Sequence, residues 1–214
     1  MFSELQYISQ GETSALQLQN IHAVLNAGYK WIQLRFKNGT SDEITELAIE
    51  VKKLCVEHNA IFIINDHPQI AKTVDADGVH LGLTDMTIIE AKNIVGTGKI
   101  IGGTANTIQD VLQRVEEGCS YVGLGPLRFT STKIKLSPIL GLAGYQSIMN
   151  ELRERGISIP IYAIGGIATE DIIALLQTGI YGVATSGLIT DHPDKKLLLQ
   201  QFNFLFHDTV NHSK

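Results

Sequence analysis

The sequence has few cysteines and no long hydrophobic run. Cys55 and Cys119 are the only cysteines among 214 residues, and they do not have the spacing of a metal-binding motif. We therefore expect two buried free thiols in a reducing cytoplasm rather than a disulfide. No apolar stretch approaches the roughly 20 residues that a membrane-spanning helix needs, and the N-terminus lacks the pattern of a secretory signal. The expected location is the cytoplasm.

The chain also lacks an excess of positive charge. Its 17 lysines and arginines are outnumbered by 22 acidic residues, and the formal net charge is −5. Because nucleic-acid-binding domains usually carry a basic surface, nucleic acid and anionic membranes are disfavoured as main partners. With 44% hydrophobic and 18% charged residues, the composition is typical of one globular domain. We assign residues 1–207 to that domain and residues 208–214 to a polar C-terminal tail.

Short apolar segments alternate with longer segments in which apolar residues recur at helical spacing. About eight strand-helix pairs are predicted, the number that closes a barrel; the strand segments are 5–9, 31–35, 61–64, 78–81, 99–103, 121–124, 160–164 and 182–185. We assign the chain to the α/β class as a single (β/α)8 TIM barrel. A doubly wound open sheet is the alternative, but it would gather polar strand ends near one switch point, whereas here they follow strands throughout the chain.

The second predicted strand ends in alternating polar residues. Gln33, Arg35 and Lys37 project from one face if the strand continues through them. Two unpaired cations are unfavourable inside an apolar barrel, because a buried charge without a partner is strongly destabilising. These residues therefore either line the barrel mouth and bind an anion or form a solvated strand end, and the residues alone favour neither.

Carboxylates follow the third and fourth predicted strands. Asn65 and Asp66 come directly after one strand, and Asp85 follows the next. A barrel places these strand ends side by side, and Mg²⁺ is often bound by one or two carboxylates together with substrate phosphate oxygens. Each aspartate is also well placed to cap a turn or helix, and capping is the favoured interpretation for either residue alone.

Later loops combine hydroxyl groups with glycines. Thr130-Ser131-Thr132-Lys133 lies in a long loop before the sixth helix, where hydroxyl donors and a cation suit a phosphate. An exposed polar turn has nearly the same composition. Gly165-Gly166 and Ser186-Gly187 follow the last two strands, where barrels often bind phosphate through backbone N–H groups. Turn glycines are the alternative there, and the placement after both strands favours phosphate.

Two histidines, His67 and His80, also lie at strand ends. No set of nucleophile, base and orienting group can be recognised around either of them. A hydrogen-bonded structural role is therefore favoured over a catalytic one.

Seven short motifs follow one another along the chain. They are Gln33-Leu34-Arg35-Phe36-Lys37, Asn65-Asp66, His80-Leu81-Gly82 with Asp85, Gly123-Leu124-Gly125-Pro126, Thr130-Ser131-Thr132-Lys133, Ile164-Gly165-Gly166-Ile167 and Ser186-Gly187. Each is weak alone, but in this order they make nearly the whole chain resemble the thiamine phosphate synthase family. The resemblance implies a transferase that joins 4-amino-2-methyl-5-hydroxymethylpyrimidine diphosphate to a thiazole phosphate and releases pyrophosphate, with Mg²⁺ as cofactor.

The resemblance also implies roles for individual residues. The pyrimidine diphosphate would be bound by Gln33, Leu34, Arg35, Phe36, Lys37, Asn65, Thr104 and Lys133, of which Arg35, Lys37 and Lys133 would act catalytically on the anionic end. The thiazole phosphate would be bound by Thr130, Ser131, Thr132, Gly166, Ser186 and Gly187. Asp66 and Asp85 would bind Mg²⁺. The expected partners are two small phosphorylated substrates, and the oligomeric state is a monomer or a homodimer.

The chain departs from the family pattern at a few positions. Leu83 and Thr84 stand where a polar pair is usual, Thr104 replaces a common serine, and Asn106 stands where many members have histidine. A thiazole tautomerase-like barrel is one alternative, but it would use a histidine base after the fifth strand, which this chain lacks. A non-catalytic phosphate-ligand sensor is another, but it would be expected to lose the carboxylates or Lys133, and all are present.

Overall fold

Parallel strands form a closed barrel. The computed structural model describes residues 2–129 and 138–211, with side chains up to residue 207. Eight strands pair in sequence order, and the last pairs with the first. They are β1 (Leu5–Ile8), β2 (Trp31–Leu34), β3 (Ile61–Asn65), β4 (Gly78–Leu81), β5 (Ile100–Ala105), β6 (Tyr121–Leu124), β7 (Ile161–Ile164) and β8 (Gly182–Thr185). The predicted single (β/α)8 barrel is confirmed.

Helices follow the strands and surround the barrel. They are α1 (Ser14–Asn26), α2 (Ser41–Glu57), α3 (Pro68–Thr73), α4 (Ile88–Val95), α5 (Ile108–Glu116), α6 (Gly141–Glu154), α7 (Ile172–Gln177), α8 (Gly187–Thr190) and α9 (Lys195–Asn211), with a 3₁₀ turn at Thr169–Asp171. The last helix extends past His207 into the segment that we predict as a tail. Within the described ranges, no helix combines the length and apolar character needed to cross a membrane.

Threonines fix the beginnings of several helices beside the strand ends. The Thr40 hydroxyl accepts a hydrogen bond from the backbone of Glu43, whose carboxylate in turn accepts from Thr40. Thr87 with Glu90 forms the same capping box at α4. The cap of α2 is therefore Thr40. These capping bonds satisfy the first N–H groups of each helix and so fix the residue at which the helix begins. The preceding loop at the barrel mouth ends at that residue.

Aromatic rings fill the N-terminal end of the barrel. The Trp31 ring packs edge-on against Tyr121 and Tyr162, with centroid distances of 5.1 Å in both cases. Phe2 covers Trp31 from below at 4.9 Å, and the Tyr162 hydroxyl donates to the Ser3 carbonyl at 2.7 Å. A second and larger apolar core lies between the strands and the helices. Polar side chains inside the barrel therefore lie above this aromatic layer, towards the C-terminal ends of the strands.

Both cysteines are free, as the sequence predicts. Cys55 is buried in the outer core, and Cys119 is partly buried behind β5. Burial raises the pKa of Cys55 to about 12 and that of Cys119 to about 11. Neither thiol is therefore a thiolate nucleophile near neutral pH.

Candidate active site

A buried amide pair lies where β2 and β3 approach the barrel mouth. Strand pairing places Gln33 beside Ile63 and Asn65 beside His80. The Gln33 amide nitrogen donates to the Asn65 side-chain oxygen at 2.8 Å. The Gln33 oxygen is buried and has no hydrogen-bond partner among the described residues. Because an unpaired buried acceptor is destabilising, this atom is well suited to accept a hydrogen bond from a ligand.

Two cations continue from the end of β2. The backbone of Arg35 is held by the hydroxyl of Ser9, which accepts from its N–H at 2.9 Å, and by Gln17, which donates to its carbonyl at 3.1 Å. Burial lowers the pKa of Arg35, and the charge of Asp66 partly opposes this. Burial and the nearby Arg35 likewise lower the pKa of Lys37. The two predicted cations and a predicted metal ligand therefore share one electrostatic environment.

Asp66 and Asp85 face each other across the ends of β3 and β4. Asp66 has a left-handed backbone with φ of 65°, and its N–H donates to the His80 carbonyl at 2.8 Å. Its carboxyl group lies within hydrogen-bonding reach of Asp85, which accepts from the Gly82 N–H at 2.6 Å. Burial, reinforced by the neighbouring Asp85, raises the pKa of Asp66 to about 7. Two carboxylates this close favour a shared proton or cation over two free charges.

Neither aspartate caps a helix, whereas the turn role that the sequence allows is confirmed for Asp85. The N-cap of α4 is Thr87, and the N-cap of α3 is His67, which makes no side-chain capping bond. Asp85 instead closes a turn onto Gly82. No group of three or more His, Cys, Asp or Glu side chains suited to a metal occurs in the described part of the chain. Any cation here would therefore take two carboxylates and complete its shell with water or substrate oxygens, as Mg²⁺ commonly does.

A histidine and a threonine line the barrel just below the mouth. Both nitrogens of His80 are hydrogen-bonded, Nδ1 to the Tyr121 hydroxyl and Nε2 to the Thr104 hydroxyl, each at 3.0 Å. The Gln6 amide nitrogen donates to the same Tyr121 oxygen at 3.2 Å. Sequence reasoning identified Thr104 through resemblance, and it missed Gln6 and Tyr121 as neighbours of the site. Their partners are too distant along the chain for any local pattern to reveal them.

An arginine holds the glycine pair after β7. Gly165 and Gly166 both have positive φ, and a Cβ on Gly166 would lie 2.5 Å from the Arg128 side chain. Arg128 donates to the Gly166 carbonyl at 2.7 Å and binds both oxygens of Asp171 at 2.6 and 2.7 Å. The Arg128 guanidinium holds the pKa of Asp171 below its ordinary value. Sequence reasoning missed this clamp, because Arg128 and Asp171 lie in different loops.

The other residues predicted to bind phosphate, Ser186 and Gly187, directly follow β8. Ser186 donates to the side chain of Gln10 at 3.2 Å, and Gly187 begins the short helix α8. The first N–H groups of a helix have no partner inside it, and here they lie at the barrel mouth. The predicted residues Thr130, Ser131, Thr132 and Lys133 lie outside the described residues.

Leu34 and Phe36 contribute little side-chain surface to the mouth. Leu34 is 1% exposed and Phe36 is 8% exposed, and both belong to the outer core between strands and helices. Their side chains pack behind the strand that carries Gln33. Any contact of these two residues with a substrate would therefore be made by backbone atoms.

The chain is similar to known proteins in both sequence and fold. The family model described as thiamine monophosphate synthase matches residues 5–189. The chain is 55% identical over 203 residues to a thiamine-phosphate synthase of Flavobacterium johnsoniae, covering 95% of this chain and 96% of the relative. It is 47% identical over 190 residues to one of Bacteroides fragilis, covering 89% and 93%. The solved structure of thiamine phosphate pyrophosphorylase from Pyrococcus furiosus superposes with a TM-score of 0.82 at 27% identity, covering 97% of this chain and 96% of that chain.

The raised pKa of Asp66 predicts a stability effect that depends on pH. The folded protein holds this proton more tightly than the unfolded chain, whose pKa is ~3.9. The resulting stabilisation is complete below that value and is lost as pH rises to about 7. In a metal chelator, Asp66→Asn should therefore melt higher than the original protein at pH 8. Because Asp66 is partly exposed, we expect the gain in the free energy of unfolding to be roughly 1 kcal/mol. This corresponds to a melting temperature about 2–4 °C higher.

Thermal melts from pH 4 to pH 8 test this prediction. The gap between Asp66→Asn and the original protein should widen up to about pH 7 and then stay constant. Glu46→Gln on the exposed side of α2 is the control and should show no such widening. A lower melting temperature for Asp66→Asn at pH 8 would show that the Asp66 charge is favourable in the fold.

Proposed function

The chain belongs to the thiamine monophosphate synthase family, and from this premise we propose that it is a thiamine-phosphate synthase acting at its barrel mouth. The substrates are 4-amino-2-methyl-5-hydroxymethylpyrimidine diphosphate and a thiazole phosphate. The bond between the pyrimidine methylene carbon and its diphosphate oxygen breaks, and the electron pair leaves with pyrophosphate. The lone pair of the thiazole nitrogen then forms the new carbon–nitrogen bond.

The unpaired acceptor of Gln33 beside two cations carries this proposal. An aminopyrimidine presents N–H donors, and one of them can satisfy the buried Gln33 oxygen. The diphosphate of the same substrate would then extend towards Arg35 and Lys37, which follow the end of β2 at Leu34. An unpaired acceptor followed along the chain by two cations supports a ligand with a hydrogen-bond donor at one end and an anion at the other.

Catalysis by these residues is mainly electrostatic. The departing diphosphate gains negative charge as its bond to carbon breaks, and preorganised cations stabilise that charge. Arg35 and Lys37 supply two of them, and Lys133 is proposed as a third. No proton has to be removed from either substrate for the new bond to form, which suits a mouth whose histidine is already hydrogen-bonded at both ring nitrogens.

Mg²⁺ fits the pair of carboxylates at the mouth. Asp66 and Asp85 would hold it, and a divalent cation between them would offset the burial and the Asp85 charge that together raise the pKa of Asp66. When bound, the ion supplies a Lewis acid to the leaving diphosphate. The Gly82 N–H keeps the Asp85 carboxylate turned towards Asp66.

The thiazole phosphate would bind on the opposite side of the mouth. Gly166 lies in the loop after β7 and Gly187 begins α8 after β8, and backbone N–H groups there suit a phosphate. The absence of a side chain on Gly166 leaves room for Arg128, which holds the peptide in place. Ser186 and the described glycines support this placement, and Thr130 to Thr132 remain predicted contacts.

The reaction is tested by measuring pyrophosphate and thiamine phosphate. We expect both products only when the two substrates and Mg²⁺ are supplied together, and we expect a chelator to stop their release. Binding of both substrates without product would favour the phosphate-ligand sensor. Isomerisation of a thiazole phosphate without any pyrimidine substrate would favour the tautomerase.

The clamp formed by Arg128 predicts a selective defect. Arg128→Ala should raise the KM for the thiazole phosphate about tenfold, equivalent to one hydrogen bond of about 1.4 kcal/mol, because the Gly166 peptide loses its support. The KM for the pyrimidine diphosphate should change less than about twofold. Arg155→Ala removes an exposed helix ion pair with Glu151 and is the matched control. Equal changes in both KM values would contradict a role confined to the phosphate loop.

A further inference from the structure

A continuous line of hydrogen bonds rises through the barrel to the mouth. Gln6 donates to the Tyr121 oxygen at 3.2 Å, and Tyr121 and Thr104 lie 3.0 Å from the two nitrogens of His80. Tyr121 is fully buried and Gln6 is 1% exposed, whereas His80 and Thr104 are 7% and 8% exposed. The line therefore begins in the sealed interior and ends where a substrate can reach it.

Two glycines provide the space for this line. Strand pairing sets Gly102 between His80 on one side and Tyr121 on the other. A Cβ on Gly102 would lie 2.2 Å from the Tyr121 ring, and a Cβ on Gly123 would lie 3.2 Å from the His80 ring. Any side chain at Gly102 would therefore displace the phenol that reaches across β5. The approach of Tyr121 to His80 depends on these two positions lacking a side chain.

The chemistry of the groups favours one direction for the protons. An amide nitrogen only donates, so the Tyr121 oxygen accepts from Gln6, and the phenol proton is available for donation to His80 Nδ1. With Nδ1 as the acceptor, a neutral ring would carry its proton on Nε2. Nε2 would then donate to the Thr104 oxygen. Burial raises the pKa of Tyr121 above its ordinary value, so the phenol keeps its proton.

We propose that this relay, formed by Gln6, Tyr121 and His80, turns the Thr104 hydroxyl into a hydrogen-bond donor aimed at an acceptor atom of the pyrimidine diphosphate. A Thr104 oxygen that accepts the His80 proton keeps its own hydrogen available for donation towards the mouth. Gln6, Tyr121 and His80 are positioning residues, since they act through Thr104. The identity of the ligand rests on the proposed function, whereas the direction of the relay does not.

The direction is tested on the full-length protein without any substrate. Nitrogen-15 NMR of the imidazole distinguishes a protonated Nε2 from a protonated Nδ1. We expect His80 to carry its proton on Nε2. A proton on Nδ1 would reverse every bond in the relay and overturn the inference, whatever reaction the protein catalyses.

The function of the relay is tested with Tyr121→Phe. We expect the dissociation constant of the pyrimidine diphosphate to rise about three- to tenfold, the effect of one neutral hydrogen bond, while that of the thiazole phosphate stays unchanged. The fixed tautomer of His80 should be lost in the same variant. Tyr162→Phe is the matched control, because it removes another buried hydroxyl from the same aromatic layer and leaves every hydrogen bond of the relay in place.

A double substitution separates positioning from stability. Combined with Thr104→Val, Tyr121→Phe should weaken pyrimidine binding no further than Thr104→Val does alone. Equal weakening by Tyr121→Phe and Tyr162→Phe, or additive effects of Tyr121→Phe and Thr104→Val, would overturn the relay. If Tyr121→Phe does not fold, the His80 tautomer measured in the original protein still tests the direction of the relay. Loss of pyrophosphate release in the original protein would count against the proposed function alone.

Discussion

The pairing of the first strand with the last is the contact on which the remaining structure depends. β1 and β8 are parallel neighbours with Leu5 beside Val183, although they stand at opposite ends of the sequence. Gly182 makes this possible, because a Cβ there would lie 2.1 Å from the Glu4 carbonyl oxygen. Closure brings Ser186 to Gln10 and turns a row of strand ends into a ring. Without it, the loops that carry cations, carboxylates and glycines would not face one another.

Within that ring, charged side chains lie close together in a way that does not favour the stability of the fold. Asp66 lies close to Asp85 on one side and within the field of Arg35 on the other. The carboxyl pair resists full ionisation, and burial lowers the pKa values of the cations beside it. An ion of opposite charge placed beside each of these groups would lower its electrostatic free energy. In the proposed function, Mg²⁺ and a diphosphate would supply those charges.

Much of the fold could be predicted because its signals are local. Apolar runs, Pro68 at the start of α3 and the late start of α6 at Gly141 are all visible within a few residues. The proximity of Asp66 and Asp85 also followed once a barrel was assumed, since their strands are neighbours. Roles taken from the family resemblance remain predictions, and those of Thr130 to Lys133 concern residues outside the described ranges.

The residues that sequence reasoning missed are those whose partners lie far away along the chain. Gln6 and Tyr121 are 115 positions apart, and Arg128 and Asp171 are 43 apart. Nothing near Arg128 distinguishes it from a solvated loop arginine. His80 shows the limit in another way, since hydrogen bonding of its ring could be predicted but the partners Tyr121 and Thr104 could not be named. Contacts between residues so far apart in sequence form only when the barrel closes. No local sequence pattern encodes them.

The aromatic layer at the N-terminal end of the barrel also sets the surroundings of the residues above it. Phe2 and Tyr121 pack against Trp31 at that end, and Tyr162 packs against Trp31 as well. Gln33 is only 2% exposed. The proposed ligand of Gln33 would therefore bind where little water remains, and polar interactions are stronger there than at an exposed surface.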